Sequence, residues 1–418
     1  TVKAASDTGR GRSSTRLESS KASLDLLDGS ASVSVPARLD SSTGVAAGEV
    51  GAAILNEAFA KSKPNEQGIK QVEIDIPEID GAKSYEVILP AGALSEGATG
   101  KLIKINTGVA TLTLPGNMLQ AADIAGAENI SLKINAADRS KLPLELQSQI
   151  GDRPVIELGL KIDGKTVPWS NEDTAVTVSI PYQPSEEELA DPEHITVWYI
   201  DGKGNVVEVP SGRYDPGTGT VTFTTSHFSN YTVVYVDKTF DDLGSVTWAK
   251  KQIEVLASKG VLKGVSQTEY APQAAITRAD YLYYLVRTLG VNARVDENFE
   301  DIKGDAYYFR EIGIAKKLGI TNGTGNNRFS PDEPITRQDM MVLTGRALGM
   351  LKKLELEGTS SDLDRFADKS LVTDYAVESI ATLVREGLIV GSGDRVNPLG
   401  KTTRAEAAVF LYRIYNLN

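Results

Sequence analysis

Three short stretches bring a hydroxyl, a guanidinium and a carboxylate together at one spacing: Ile276-Thr277-Arg278-Ala279-Asp280, Ile335-Thr336-Arg337-Gln338-Asp339 and Thr402-Thr403-Arg404-Ala405-Glu406. A phenylalanine stands 38 residues before each arginine (Phe240, Phe299, Phe366), with an aspartate two residues after it (Asp242, Asp301, Asp368). Threonine followed three residues on by an acid is the pattern of a helix N-cap, where hydroxyl and carboxylate satisfy backbone N–H groups. The arginine does not fit that pattern, because a positive charge in the first helical turn opposes the macrodipole by roughly a few tenths of a kcal/mol. Recurring three times, it calls for a partner. One candidate is an internal carboxylate, such as the aspartate after the phenylalanine. The other is an anionic ligand, held by the guanidinium fork and by free helix N–H groups.

The same frame holds at other positions. A proline lies six residues before each arginine (Pro272, Pro331, Pro398), and Gly260 and Gly264 answer to Gly319 and Gly323. In the third unit Gly387 and Gly391 fall one residue later. Glycine there suits a helix C-terminus followed by a tight loop. Three helix–loop–helix units are therefore predicted: 238–297, 298–364 and 365–418.

These units resemble S-layer homology repeats, through Phe240-Asp241-Asp242, Trp248-Ala249, Gly260-Val261, Gly264, Tyr270-Ala271-Pro272 and Ile276-Thr277-Arg278-Ala279, and their counterparts downstream. The resemblance implies an all-α, pseudo-threefold bundle whose grooves bind secondary cell-wall polysaccharide, often through a pyruvylated, negatively charged amino sugar. It implies an extracellular place in the cell wall or S-layer of a Gram-positive bacterium, and makes Arg278, Arg337 and Arg404 the carboxylate contacts. The candidate glycan-binding set adds Asp242, Asp301, Asp368, Trp248, Gly264, Gly323 and Gly391. Gln338, where the family usually has alanine, puts the second site in some doubt.

A second constellation is Thr225-Ser226-His227-Phe228-Ser229. It resembles the self-cleavage site of zona-occludens/Unc-type β-sandwiches, in which a serine hydroxyl attacks the preceding carbonyl, here between Phe228 and Ser229, with the histidine as base. The plain alternative is that His227 and Ser229 satisfy backbone groups at a strand junction. A structural S-layer lattice subunit is a third reading of the chain.

Composition narrows the rest. A length of 418 residues exceeds one compact core. The formal net charge of −12 argues against nucleic acid as a partner. There is no cysteine, and His194 and His227 are the only histidines, so neither a thiolate nor a His-rich metal site is expected, and no cofactor. No apolar run reaches the ~18–20 residues of a membrane span. The first residue is Thr1 rather than Met, which reads as a mature product or a fragment.

The elements that carry these motifs follow from periodicity. Residues 1–45, rich in Ser, Ala, Gly and Thr, read as a flexible linker with at most one short strand near Ala31–Val35, the alternative being an edge strand of the next domain. Residues 46–237 read as an antiparallel β-sandwich region with an N-terminal helix over 46–62, or as two small β domains in series. Its signal is period-two alternation, as in Val72, Ile74 and Ile76 or Val176, Val178 and Ile180. A short helix is expected within 135–150, and another after Pro184-Ser185, where Glu186-Glu187-Glu188 would form the first turn. The period changes to helical after Asp237. The sheet region is a spacer or adaptor in this reading, and any enzyme would lie upstream.

Overall fold

The structure, a computed structural model, describes residues 22–27 and 30–417. Alternating apolar residues build the first part into strands. The first half holds β1 (Ser23–Leu27), β2 (Ser30–Ser34), β3 (Arg38–Asp40), β4 (Val45–Glu49), β5 (Lys70–Asp75), β6 (Ser84–Pro90), β7 (Lys101–Asn106), β8 (Thr111–Pro115) and β9 (Asn129–Ala136). The second holds β10 (Val155–Ile162), β11 (Lys165–Val167), β12 (Val176–Pro181), β13 (Ile195–Ile200), β14 (Val206–Val209), β15 (Arg213–Asp215), β16 (Thr220–Thr225) and β17 (Asn230–Tyr235). Three helices interrupt them: α1 (Ala52–Lys61), α2 (Leu144–Ile150) and α3 (Glu186–Ala190).

The strands form two sheets. One runs β1-β2-β5-β7-β8-β12-β16-β15; the other runs β14-β13-β17-β10-β9-β6-β4-β3, with β11 against β10. In β5, β7 and β8, Val72, Ile74, Ile103, Ile105, Leu112 and Leu114 are buried, while Glu73, Lys104 and Thr113 between them keep contact with water. Both sheets contribute to one core that extends from Ala31 to Val233. Pairing of β8 with β12 and of β9 with β10 carries each sheet across the two halves.

Two expectations change here. The region is a mixed sheet rather than an antiparallel one: β2 with β5, β5 with β7 and β4 with β6 are parallel. The chain leaves one sheet after β5, adds β6 to the other and returns as β7, so the return strand runs in the same direction. A period of two fixes the buried face and not the neighbour. The expected linker over 1–45 is also different. Residues 1–21, 28 and 29 lie outside the described residues, but β1 to β3 and the start of β4 fall in this stretch, β2 at the place of the one strand expected there. Ala31, Val33, Val35 and Ala46 alternate inward and are buried, so small residues fill a close-packed layer where large ones were looked for. The helix expected over 46–62 shortens to α1 because β4 takes its first turn. Helices α2 and α3 lie where they were expected, α3 with a capping box between Ser185 and Glu188.

The second part is helical: α4 (Lys250–Ser258) and α5 (Arg278–Leu289), α6 (Phe309–Lys317) and α7 (Arg337–Met350), α8 (Asp374–Arg385) and α9 (Arg404–Tyr415). It has its own core, from Phe240 to Tyr415. The helical part docks directly on the sheets. The Lys259 ammonium, 2% exposed, donates to the carbonyls of Ile195 and Gly212. The Arg213 guanidinium lies 3.5 Å from the Tyr415 ring centroid and donates to the Tyr415 carbonyl. Glu193 accepts from Tyr412 and pairs with Lys251. On the other side Asn292 donates to Ser226 at 2.9 Å and Arg310 pairs with Glu172 at 2.9 Å.

Burial, reinforced by the Arg213 charge and opposed by Glu193, pulls the Lys259 pKa from 10.5 down to about 7. On unfolding the ammonium returns to water and regains its ordinary pKa. Between about pH 7 and 10.5 the unfolded chain then holds a proton that the folded chain lacks, so stability rises with pH across that window. Lys259→Met should remove roughly 1–3 kcal/mol of that rise, measured as the difference between wild-type and variant unfolding curves from pH 6.5 to 10.5. Parallel curves would show that Lys259 is not desolvated.

Candidate functional site

Each threonine does cap its helix. Thr277, Thr336 and Thr403 accept from the N–H of Asp280, Asp339 and Glu406 at 3.1, 3.2 and 3.2 Å. Of the three acids only Glu406 also accepts from the N-cap N–H, at 2.9 Å, and closes the reciprocal box.

The next two helix N–H groups are not free, contrary to the expectation that they could hold an anion. Arg278 and Ala279 donate to the carbonyls of Glu333 and Pro331, Arg337 and Gln338 to those of Gly400 and Pro398, and Arg404 and Ala405 to those of Ala274 and Pro272. Each helix start is thus completed by the loop of the following repeat, and the third repeat is completed by the first.

The arginine side chains follow the same circuit. Nε of Arg278, Arg337 and Arg404 donates to the carbonyls of Phe329, Val396 and Tyr270 at 3.1, 3.1 and 2.9 Å. Each guanidinium then faces the acid of the following repeat: Arg278 to Asp339 at 3.8 Å, Arg337 to Glu406 at 3.3 Å and Arg404 to Asp280 at 3.0 Å. The internal partner is therefore the capping acid across the joint, not the aspartate after the phenylalanine.

Those aspartates are loop staples. Asp242 accepts from the N–H of Tyr270 and Ala271, Asp301 from Phe329 and Ser330, and Asp368 from Val396 and Asn397, all between 2.7 and 3.0 Å. Two charge-assisted bonds hold each turn so that its carbonyl meets an arginine. The glycines Gly264, Gly323 and Gly391 lie against the leading phenylalanine. A Cβ on them would fall 2.6, 2.7 and 2.5 Å from the rings of Phe240, Phe299 and Phe366. The ring and the loop carbonyls of Ser266 and Glu269, of Arg328 and of Arg395 leave no room for a side chain there.

Trp248 is 56% exposed, and its counterparts by fold are Tyr307 and Tyr375, 51% and 54% exposed. Tyr307 donates to Asp280 and Tyr375 donates to Asp339 at 2.7 Å. Trp248 borders a cleft together with Arg337 and Glu406. Every groove therefore draws its arginine, acid and aromatic ring from three different repeats. Sequence reading found only the tryptophan. Tyr307 stands eight residues after its phenylalanine, as Trp248 does, while Tyr375 stands nine after its own, which hid the correspondence.

Burial disfavours the Arg278 charge and, despite Asp339 and Tyr375, leaves its pKa below the ordinary value. Burial also works against Arg404, but Tyr284, Tyr270 and Asp280 outweigh it and raise its pKa. Gln338 does not touch Arg337's groove. It is buried and bridges to the third repeat, donating to Tyr375 at 3.0 Å and accepting from Thr373.

The structure does not bring His227 and Ser229 together. Ser229 Oγ donates to the Ile200 carbonyl at 3.1 Å, while the His227 ring packs edge-on against Tyr199 at 4.6 Å. Among the described residues His227 Nε2 is buried and has no hydrogen-bond partner, and burial followed by the Arg310 charge lowers its pKa. Among the described residues no cluster of His, Cys, Asp and Glu could hold a metal ion, and no helix is long and apolar enough to cross a membrane.

Comparison with known proteins agrees with this geometry. The family described as the S-layer homology domain matches at 239–282, 298–341 and 365–408. An amylopullulanase of Thermoanaerobacterium thermosulfurigenes is 30% identical over 347 residues, 82% of this chain and 18% of that one. That match is longer than the helical part and so extends into the sheets. The surface-layer 125 kDa protein of Lysinibacillus sphaericus is 31% identical over 40% of this chain and 14% of its own length. The S-layer protein sap of Bacillus anthracis is 30% identical over 43% and 21%. The chain thus spans about a fifth or less of each relative's length. Residues 239–408 are three S-layer homology domains, and the chain belongs with the cell-surface proteins that carry them. Such domains bind cell-wall glycans and anchor surface proteins to the wall.

Asp301→Ala should unfold at lower denaturant, with a loss of about 2–3 kcal/mol from two unpaired N–H groups, and should leave the circular dichroism of the folded state unchanged. Stability equal to wild type, with glycan affinity lost, would return Asp301 to the ligand site.

Proposed function

We propose that the helical part anchors the chain by binding secondary cell-wall polysaccharide in the grooves between repeats, with a pyruvylated amino sugar as the acidic unit. We read the closed circuit of caps and arginines as a pseudo-threefold bundle. The observation that carries the proposal is the set gathered in each groove: a guanidinium, a carboxylate and an aromatic ring that reaches solvent. An aromatic face packs against a sugar ring, and a guanidinium donates two parallel hydrogen bonds to the planar carboxylate of a pyruvyl ketal. The chemistry resides in side chains, because the helix N–H groups are already occupied. Use of two grooves on one polymer would add retention through effective concentration. The sheet part is the adaptor between this anchor and whatever the longer protein presents, and we assign it no catalytic role.

Arg404 is 5% exposed and belongs to a buried network, so its loss would disturb the fold. The clean test is Arg278→Ala with Arg337→Ala. The double variant should keep wild-type helicity and lose at least nine-tenths of its co-sedimentation with purified cell walls. Walls stripped of pyruvyl ketals should fail to retain the wild type. Unchanged retention in both experiments would overturn the proposal.

A further inference from the structure

The three grooves carry one motif but are not chemically equal. Around Arg404 every guanidinium nitrogen is engaged: Nε by Tyr270, Nη1 by Asp280, and Nη2 by both the Lys263 carbonyl and the Tyr284 hydroxyl. Tyr307 also takes Asp280 from the open side. That groove is internally closed.

The groove of Arg337 lacks the hydroxyl, as does that of Arg278, where Leu343 holds the equivalent position. Phe410 holds that position for Arg337, six residues after its own repeat's arginine, where the first repeat has Tyr284. Phenylalanine has no hydroxyl to offer. Arg337 keeps only the Val396 carbonyl and Glu406, and among the described residues no hydrogen bond engages its Nη2. Val390 replaces Lys263 on the same loop. The result is a cleft of about 270 Å³ bordered by Trp248, Arg337, Val390, Gly391, Glu406 and Arg413.

An arginine stands nine residues after the motif arginine in every repeat, as Arg287, Arg346 and Arg413. Arg413, on α9, is exposed and donates to the Leu388 carbonyl at 3.3 Å. Its counterpart in the first repeat, Arg287, is committed elsewhere: it donates to the Gly260 carbonyl, pairs with Glu311 at 3.6 Å and borders the junction with the sheets. In the open cleft two guanidinium groups face one carboxylate, which leaves a net charge of +1 beside an exposed indole and an apolar wall.

We propose that Arg413 is a second carboxylate-binding arginine beside Arg337 in the cleft between the second and third repeats. This rests on the wall-glycan reading above and adds a residue to it. The carboxylate sits between the two guanidinium groups, and the sugar ring lies over Trp248. The arrangement selects a carbohydrate that bears one carboxylate over its neutral form, since neutral sugar would leave the excess positive charge uncompensated.

The test is calorimetric titration of the full chain with purified wall polysaccharide, pyruvylated and after mild-acid removal of the ketal. Arg413→Ala should bind the acidic polymer about tenfold more weakly and keep whatever affinity wild type has for the neutral one. Arg413→Lys should fall between, because it keeps the charge and loses the fork. Tyr284→Phe serves as the control for the closed groove and should leave affinity within about twofold of wild type. Arg413→Ala binding as wild type does, while wild type binds the acidic polymer well, would overturn this assignment and leave the anchoring role intact. Absence of wild-type binding to either polymer would overturn both.

Discussion

Each helix start in the C-terminal part is completed by a different repeat, and the rest of that part depends on this shared capping. A helix N-terminus leaves its first four N–H groups without intrahelical partners. Here two are given to carbonyls of the next repeat and one to the threonine of the same repeat. A single repeat could not supply those carbonyls to itself. Left unmade and buried, each such group would cost about 1–3 kcal/mol. The circuit also explains why arginine is tolerated against the helix macrodipole. Its charge is held by a carbonyl and an acid from the next repeat, and the N–H groups that create the dipole's positive end are already occupied. The fixed proline spacing has the same origin, since the carbonyls of Pro272, Pro331 and Pro398 are the acceptors.

The circuit leaves an outer face on which the sheets dock, and here the repeats have diverged. Lys259 belongs to the first repeat alone; the corresponding positions carry Leu318 and Glu386. An ammonium enclosed at this junction is tolerable because two backbone carbonyls receive it. Arg213 and Tyr415 secure the last helix to the same sheet edge, and Arg310 and Asn292 secure the other side. With contacts on both flanks and four residues between β17 and Phe240, the sheets are held in one orientation relative to the grooves.

What was legible in the sequence is what is local. Alternation located β5, β9, β10, β12 and β16, and the threonine–acid spacing located the starts of α5, α7 and α9. The arginine was legible as an anomaly, because a cap does not need it. What was not legible depends on partners roughly 60 residues or more away in the chain. The acid that meets Arg278 is Asp339, and the acid that meets Arg404 is Asp280. From spacing alone Asp242, Asp301 and Asp368 were equally good partners, and only the turn geometry assigns them to backbone N–H groups. Parallel pairing was hidden for a related reason, since a strand's period reports its faces and not the direction of its neighbour.

Repetition of a motif does not repeat its chemistry. Arg404 and Arg337 occupy the same place on equivalent helices, donate through Nε to equivalent loop carbonyls and face the same kind of acid. A hydroxyl separates their roles: Tyr284 completes the shell of one guanidinium, and Phe410 leaves the other incomplete. A saturated guanidinium cements a joint, because any incoming anion would have to displace bonds already made in a buried setting. An unsaturated one at an open cleft gains by binding, because its desolvation has been met only in part. Each of the three joints thus carries an arginine, and the residue six positions after the arginine of the next repeat decides whether a hydroxyl completes that arginine's shell.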